Sequence, residues 1–576
     1  MKKTGAWLVR FALEQIGVRY TFGIPGVHTT EIYDELNKSE SIQPMLVTHE
    51  GGAAFMADAI SRTSDHIGTL LIVPAAGVTH AASGIGEAFL DGIPMMVISG
   101  GIHTQSGKTY QLHEMDQHAL LAPITKKTWK IETHAEIIPA IYAAYQLATG
   151  GEPGPVFVEV PVNLQLFPGE VPETPPFAPE AFESRLDHAA IQQAAQELYE
   201  AGSPGLFLGW GAVDASEEAI KIAEFLGAPA ATTLQGLSSF PANHSLHTGM
   251  GIGPAAVPAA ENAFRKCDCL LAVGNRFGEI ATASYGVNPP ESLIHIDINK
   301  AVFNANYPAS VTIEGDAKMV LAELLKRLKE LGGPKTDTDA LKTAIKNDKK
   351  AYLDEWLKHD SGDRVNPARF FTELREQLDD DAIVVADDGN HTFITAELMP
   401  IHRPRGFISP TDFNCMGYCT PAVIASRLVN PDKQVVGIIG DGAFLMTCME
   451  TLTAASNGLG GIFFVFNDGE LSQISQAQEI PYNRKTCTVL HDVNIRGVAL
   501  ATGCEFISIE DDSACAAGIR KALEFAAQNK PVIVDVKIDY SKRTRFTKGI
   551  VKTNLERFTM GNKARFIGRA LLRRVL

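Results

Sequence analysis

Short uninterrupted apolar runs recur along the chain, each followed by a stretch in which apolar residues return every three or four positions. The runs GTLLIVP (68–74), PMMVISG (94–100), PVFVEVP (155–161), GLFLGW (205–210), CLLAVG (269–274) and LIHIDI (293–298) are joined by AIVVAD (382–387), VVGIIGDG (435–442), GIFFVFND (461–468) and PVIVDVKID (531–539). Most are too uniformly apolar to be half-exposed strands, so they predict parallel strands covered by helices on both faces. Strand alternating with helix predicts α/β layers, here doubly wound parallel sheets. Apolar positions in the N-terminal segment MKKTGAWLVRFALEQIGVRY fall at helical spacing and predict an amphipathic first helix.

Two polar stretches interrupt this pattern. FPGEVPETPPFAPE (167–180) has five prolines in 14 residues and predicts an extended connector. Residues 331–366 are rich in charge and predict a solvated connector and helix. They divide the chain into domains at 1–172, 185–330 and 365–540, followed by a tail at 541–576. A length of 576 residues requires several cores. No short-period repeat is visible.

The formal net charge of −16 disfavours general nucleic-acid binding, because phosphates would be repelled. Eight cysteines show no disulfide-framework spacing, and Cys267 and Cys269 sit in a strand-like run rather than a zinc or redox motif. Arg10 and Glu14 interrupt the first apolar stretch, which argues against a signal peptide, and no run of 18 uncharged apolar residues occurs. A cytoplasmic location is expected. The tail is the exception to the acidic balance. It holds 11 Lys or Arg against Glu556 alone, a net +10, which leaves −26 on the other 540 residues. On a helical wheel Met560, Ala564, Ile567, Leu571 and Val575 share one face, broadly opposite Arg565, Arg569 and Arg573. Such a helix can lie on an anionic membrane surface, here the inner face, or pack back over the acidic body.

Candidate chemistry gathers at two strand ends. Gly440, Asp441, Gly442 and Ala443 follow the run VVGII, and Asn467 ends the run GIFFVF, with one helix, AFLMTCMETLTAASNGL, expected between them. Ligands of open α/β sheets bind at that edge, and glycines let the backbone approach phosphate. A carboxylate and an amide side by side suit a hard divalent cation such as Mg²⁺. Gly-Asp-Gly alone is a common turn; paired with a strand-ending Asn-Asp one helix later, it is far more specific. Glu50, in VTHEGGAAFMADAISR, reads by itself as a helix-start glutamate favoured by the macrodipole.

Together these segments resemble thiamine diphosphate-dependent enzymes over nearly the whole chain, from Gly23 to about Asp539. The resemblance implies three domains: N-terminal pyrimidine-binding, central, and C-terminal diphosphate- and Mg²⁺-binding. It implies Mg²⁺ held by Asp441, Asn467 and the carbonyl of Gly469. Glu50 would activate the cofactor by hydrogen bonding to its aminopyrimidine ring. Asn390 and His391 would help hold diphosphate, the carbonyl of Asn414 would receive the cofactor's amino group, and Met416 would support the thiazolium. In the family the glutamate reaches a cofactor bound by another subunit, so a dimer or tetramer is implied.

The branch it resembles most is the acetolactate synthases, through FGIPGVHTTEIYDEL (22–36), TTLQGLSSFPANHSLHTGM (232–250) and MGYCTPAVIAS (416–426). That implies decarboxylation of a 2-oxo acid such as pyruvate and transfer of the remaining unit to an acceptor carbonyl. Departures cluster where substrate is expected: Gly26-Val27-His28, Leu112-His113 and Val78-Thr79-His80. His28 and LLAPITKKTW (120–129) are similar to benzaldehyde lyase, which keeps a lyase acting on a 2-hydroxy ketone or a 2-hydroxyacyl thioester open. A membrane-associated, flavin-dependent pyruvate oxidase, for which the basic tail speaks, and a non-catalytic binding protein are further alternatives. His28 and His113 are candidates to move protons or orient substrate; His80 reads as an ordinary satisfied histidine. Gly209-Trp210-Gly211 and GNRFGEI (274–280) keep part of the flavin-binding pattern, including Arg276, but put Ile280 in place of a second arginine, which leaves FAD open.

Overall fold

The computed structural model describes residues 1–179, 186–335 and 337–575. Glu180, the last residue of the proline-rich connector, and residue 185, the expected start of the second domain, lie outside them. Three six-stranded sheets, all parallel, form the body. The N-terminal sheet contains Tyr20–Gly23, Gln43–Leu46, Gly68–Ile72, Met95–Gly101, Thr128–Lys130 and Pro155–Pro161. The C-terminal sheet contains Ile383–Ala386, Phe407–Ile408, Val435–Gly440, Ile462–Phe466, Glu505–Ile509 and Val532–Val536. Counted along the chain, both run in the order 2-1-3-4-6-5. The central sheet, Pro204–Leu208 to Val311–Glu314, runs 3-2-1-4-5-6, the dinucleotide-binding order. The central strands Gly68–Ile72, Cys269–Val273 and Ile462–Phe466 are buried along their whole length, as their lack of polar alternation requires.

Four local expectations need correction. The first helix, Gly5–Gln15, is preceded by a strand, Lys2–Thr4, which pairs antiparallel with Pro168–Glu170. The proline-rich connector therefore begins as a strand; its proline sits at the strand start, where the missing N–H does least harm. The charged connector contains the helix Asp339–Leu357, which is more than solvated: Ile345, Tyr352 and Trp356 are buried on one face, spaced to be hidden among the charges. The single helix expected between Asp441 and Asn467 is broken into Asp441–Thr447, a 3₁₀ turn Cys448–Glu450, and Thr451–Ser456. At the break, buried Glu450 accepts the backbone N–H groups of Thr48 and His49 at 3.1 and 2.9 Å, a tie between domains that amphipathic spacing does not register.

The N- and C-terminal sheets share a core. The helix Glu50–Thr63 packs on the helix Cys419–Val429, and one apolar cluster runs from Phe22 and Met45 through Tyr418 to Phe444. Across this seam fully buried Arg62 donates to Asp58 (2.6 Å) and Asp91 (2.9 Å), while Tyr418 donates to Asp58 (2.6 Å). Asp91 and Glu87 in turn accept the backbone N–H groups of Asp412, Thr411 and Cys415. A buried charge persists only when paired and hydrogen-bonded, as Arg62, Asp58 and Asp91 are; burial pushes the Glu87 carboxyl up, towards its neutral form.

The tail forms two helices, Arg545–Arg557 and Met560–Val575. The first is docked. Phe546 stacks on Phe393 at 4.1 Å, and Glu397 accepts the N–H groups of Arg545 and Phe546. The second meets the body through buried Ala570 and through Arg573, which donates to Pro481 O at 2.9 Å and accepts from Asn483 at 3.2 Å. On its expected apolar face Met560, Ala564 and Leu571 are exposed; the side chains of Ile567 and Val575 lie outside the description. No helix among the described residues is long and apolar enough to cross a membrane.

Candidate active site

Two groups of polar side chains stand at the C-terminal edges of the outer sheets. In the C-terminal sheet, Val435–Gly440 delivers Asp441 and Ile462–Phe466 delivers Asn467. Asp441 is buried, and its carboxylate accepts Gly442 N–H and Gly469 N–H, both at 2.7 Å. The two strand ends are thus clasped. Gly469 has φ 79°, a left-handed conformation that a side chain would strain. Asn467 donates its amide N–H to Asp535 at 3.0 Å, which fixes the amide's orientation and leaves its oxygen free. Burial pushes the Asp441 carboxyl up and takes neighbouring Asp468 to about 7. The buried Asp441 carboxyl, the Asn467 amide oxygen and the Gly469 carbonyl form an all-oxygen donor set, which fits a hard divalent cation whose charge would reverse the Asp441 shift.

Beside them, the turn after Ile383–Ala386 leads into the helix Asn390–Leu398. His391 is buried and accepts Gly440 N–H through Nε2 at 3.3 Å; burial draws it down to about 3, so the imidazole is neutral. Asp387, fully buried, accepts Gly417 and Cys419 N–H groups at 2.8 Å each. These bonds shape the loop carrying Asn414 and Met416. Asn414 is exposed with φ 67°, a conformation asparagine tolerates better than most residues, and Met416 is half-buried. Asn390, His391 and Asp441 lie around the point where strand order reverses, the expected ligand crevice of such a sheet.

In the N-terminal sheet, the segments after the first four strands carry His28, Glu50, His80 and His113, Glu50 and His80 in helices and the other two in loops. Glu50 is buried as the first residue of its helix, behind His49, whose ring accepts Gly51 N–H at 3.0 Å. His80 Nδ1 lies 2.9 Å from the Glu50 carboxylate and its ring stacks on His49 at 4.6 Å. The ring of His80 is satisfied, and its partner is the Glu50 carboxylate. Thirty residues separate the two, and only adjacency of strand ends could have revealed it. His28 and His113 also meet, Nδ1 to Nδ1 at 3.3 Å, so one ring donates and the other accepts. Burial, then the neighbouring His113, pulls the His28 pKa down. Gln117 went unremarked in the sequence. It is buried, donates to Gly100 O and Glu159, and accepts Ala75 N–H, tying the end of the segment that carries His113 to the turn before the helix that carries His80.

Among the described residues, no hydrogen bond or ion pair joins Glu50 to Asp441, Asn467 or Asn414. A third concave region lies between the central sheet and its neighbours, a cleft of about 340 Å³. Gly209, Gly211, Arg276, Asp297, Arg405 and Asp412 line it. Arg276 reaches Glu152 at 2.5 Å and Asp412 at 3.6 Å, and burial takes Asp297 to about 6.

Three family models match the chain: the thiamine pyrophosphate enzyme N-terminal TPP binding domain over residues 2–120, the central domain over 191–324, and the C-terminal TPP binding domain over 387–536. The acetolactate synthase large subunit of Corynebacterium glutamicum is 31% identical over 93% of this chain and 86% of its own length. A probable acetolactate synthase large subunit of Methanocaldococcus jannaschii is 31% identical, covering 93% and 92%. The isozyme 1 large subunit of Escherichia coli K12 is 27% identical, covering 94% and 95%.

Proposed function

The chain belongs to the thiamine pyrophosphate enzyme family, and from that membership we propose that it is an acetolactate synthase-like carboligase. It takes a 2-oxo acid such as pyruvate, releases CO₂ and transfers the remaining unit to an acceptor carbonyl. The observation that carries this is the Asp441–Gly469 clasp beside an Asn467 amide whose oxygen is left free. Asp441, Asn467 and the Gly469 carbonyl would hold Mg²⁺, and Gly440, Gly442, Ala443, Asn390 and His391 would hold the diphosphate. Asn414 and Met416 would hold the cofactor's rings.

Thiamine diphosphate, when bound, supplies a carbon nucleophile for the substrate carbonyl. Glu50 holds a proton at the aminopyrimidine ring. His80, 2.9 Å away, keeps the carboxylate oriented. His28, kept neutral by burial, accepts or returns a proton at the substrate oxygen, with His113 as its relay.

Glu50 and the Asp441 group do not meet within one chain, which supports a site completed by a second copy. Leu445, Met446, Met449 and Leu452, just after Asp441, are exposed in the single chain and give such a copy an apolar surface. The central cleft suits a nucleotide cofactor, FAD first, because its sheet has the dinucleotide order and Asp297 ends a strand there. The exposed Met560 and Leu571 beside Arg565 and Arg569 keep peripheral contact with an anionic membrane as a reading of the tail.

The test is to incubate purified protein with pyruvate, Mg²⁺ and thiamine diphosphate and identify products by NMR. Acetolactate supports the proposal. Cleavage of a 2-hydroxy ketone with no turnover of 2-oxo acids would replace it with the lyase reading, which two adjacent imidazoles also suit. A visible absorption spectrum of the same preparation reports flavin.

A further inference from the structure

A pocket of about 200 Å³ lies between the central sheet and the C-terminal domain and shares no residue with the groups assigned above to catalysis or to the nucleotide cleft. Its walls are apolar, from Val257, Leu353, Leu398, Met399 and Ile401 among others. Among its polar groups, Lys349 and His247 lie together. Lys349 Nζ donates to Ala242 O at 3.2 Å and lies 3.0 Å from His247 Nδ1. An ammonium has only protons to give, so Nδ1 is the acceptor and the neutral imidazole carries its proton on Nε2. His247 is only 6% exposed, and that Nε2 is buried without a partner.

Lys349 forms no ion pair among the described residues. Burial draws it down to about 8, so it is still mostly protonated at neutral pH. The one carboxylate lining the pocket, Glu397, is taken up by Tyr352 and by the N–H groups of Arg545 and Phe546. The pocket therefore contains a desolvated cation with no counter-charge and an N–H with no acceptor, both beside apolar walls. The desolvated cation is costly alone and is repaid by an anion that accepts its remaining N–H. Small-molecule sites have this composition: an apolar concavity with a few convergent polar groups.

We propose that this pocket binds a small monocarboxylate with a short apolar chain. The carboxylate accepts the remaining N–H of Lys349 Nζ, and the chain lies among Val257, Leu353 and Met399. The assignment stands independently of the catalytic reading.

Hexanoate titrated into the full chain carrying ¹³C-methyl methionine tests this. The Met399 methyl resonance, assigned with Met399→Leu, shifts saturably, whereas hexylamine of the same length leaves it in place. Lys349→Gln weakens hexanoate binding about tenfold or more, the effect of losing a charge-assisted bond. If that variant fails to fold, the comparison of acid with amine on the wild-type chain still decides. A Met399 resonance unmoved by hexanoate overturns the proposal. So does a shift at Met416 alone, an equal shift with hexylamine, or equal affinity in a folded Lys349→Gln.

Discussion

Replacing Glu50 with glutamine keeps the side chain's size and its reach to His80 but removes the anion. Because a positioned proton-transfer group contributes on the order of 10²–10⁴ in rate, kcat/KM of Glu50→Gln should fall by about that much. Circular dichroism should show the fold unchanged, and steady-state kinetics check the fall. His28 yields a prediction with a sign. Its pKa is lowered, so it stays neutral further into acid, and activity that needs a neutral His28 is lost as pH falls through that lowered value. His113→Gln removes one of the two causes, so the acid limb of kcat/KM against pH should move to higher pH. A limb that stays put would rule out His28 as the proton acceptor. At this scale the sequence was partly legible. Asp441, Asn467 and Glu50 stood at strand or helix ends inside recognisable segments, and His28 and His113 stood out as departures. That His28 touches His113, and Glu50 touches His80, depends on neighbouring loops of one sheet, which linear spacing does not encode.

Elements were read well where the apolar pattern was uninterrupted and poorly where a tertiary bond decided the outcome. The ten apolar runs coincide with strands because a run buried on both faces has few other solutions. The break at Cys448–Glu450 was invisible because its reason, Glu450 reaching Thr48 and His49, lies some 400 residues away in sequence. The loop after Ile462–Phe466 turns on Gly469. Gly469→Ala should cost about 1–2 kcal/mol for a side chain in left-handed conformation and weaken Mg²⁺-dependent cofactor binding; urea denaturation and a Mg²⁺ titration report the two effects separately. The tail helices should behave differently from each other. Residues 545–557 are anchored by Phe546 and Glu397, whereas 560–575 are held by Ala570 and Arg573. A chain ending at residue 559 should stay folded with an almost unchanged Tm, and co-sedimentation should show it losing any binding to anionic vesicles that the full chain has. Equal sedimentation of both would end the membrane reading.

At the scale of the whole molecule, the N- and C-terminal sheets share one strand order, and in the proposed reading they divide the chemistry, proton-handling groups on one and oxygen donors for metal on the other. Met446→Lys, placed on the exposed apolar surface beside Asp441, should shift the protein towards monomer in light-scattering chromatography and reduce activity in parallel. Activity retained by a monomer would show that one chain holds a complete site. The common order of the two sheets could not be read from the sequence, because equal topology leaves no periodic trace when the residues have diverged.

The buried set around Arg62 has a consequence for anyone recombining these domains. Its charges come from the helix carrying Glu50 and the helix carrying His80, while Tyr418 and the loop carrying Asn414 supply hydrogen bonds that satisfy them, so the N-terminal domain does not own its own hydrogen-bond balance. A chimaera joining the first domain of this chain to the third domain of a relative inherits half of that arrangement. Without Tyr418 and the 411–415 backbone, Arg62, Asp58, Asp91 and Glu87 are left mismatched in a dry seam. The two domains are exchangeable only as a pair, and sequence changes at 58, 62, 87, 91 and 418 should be found to travel together.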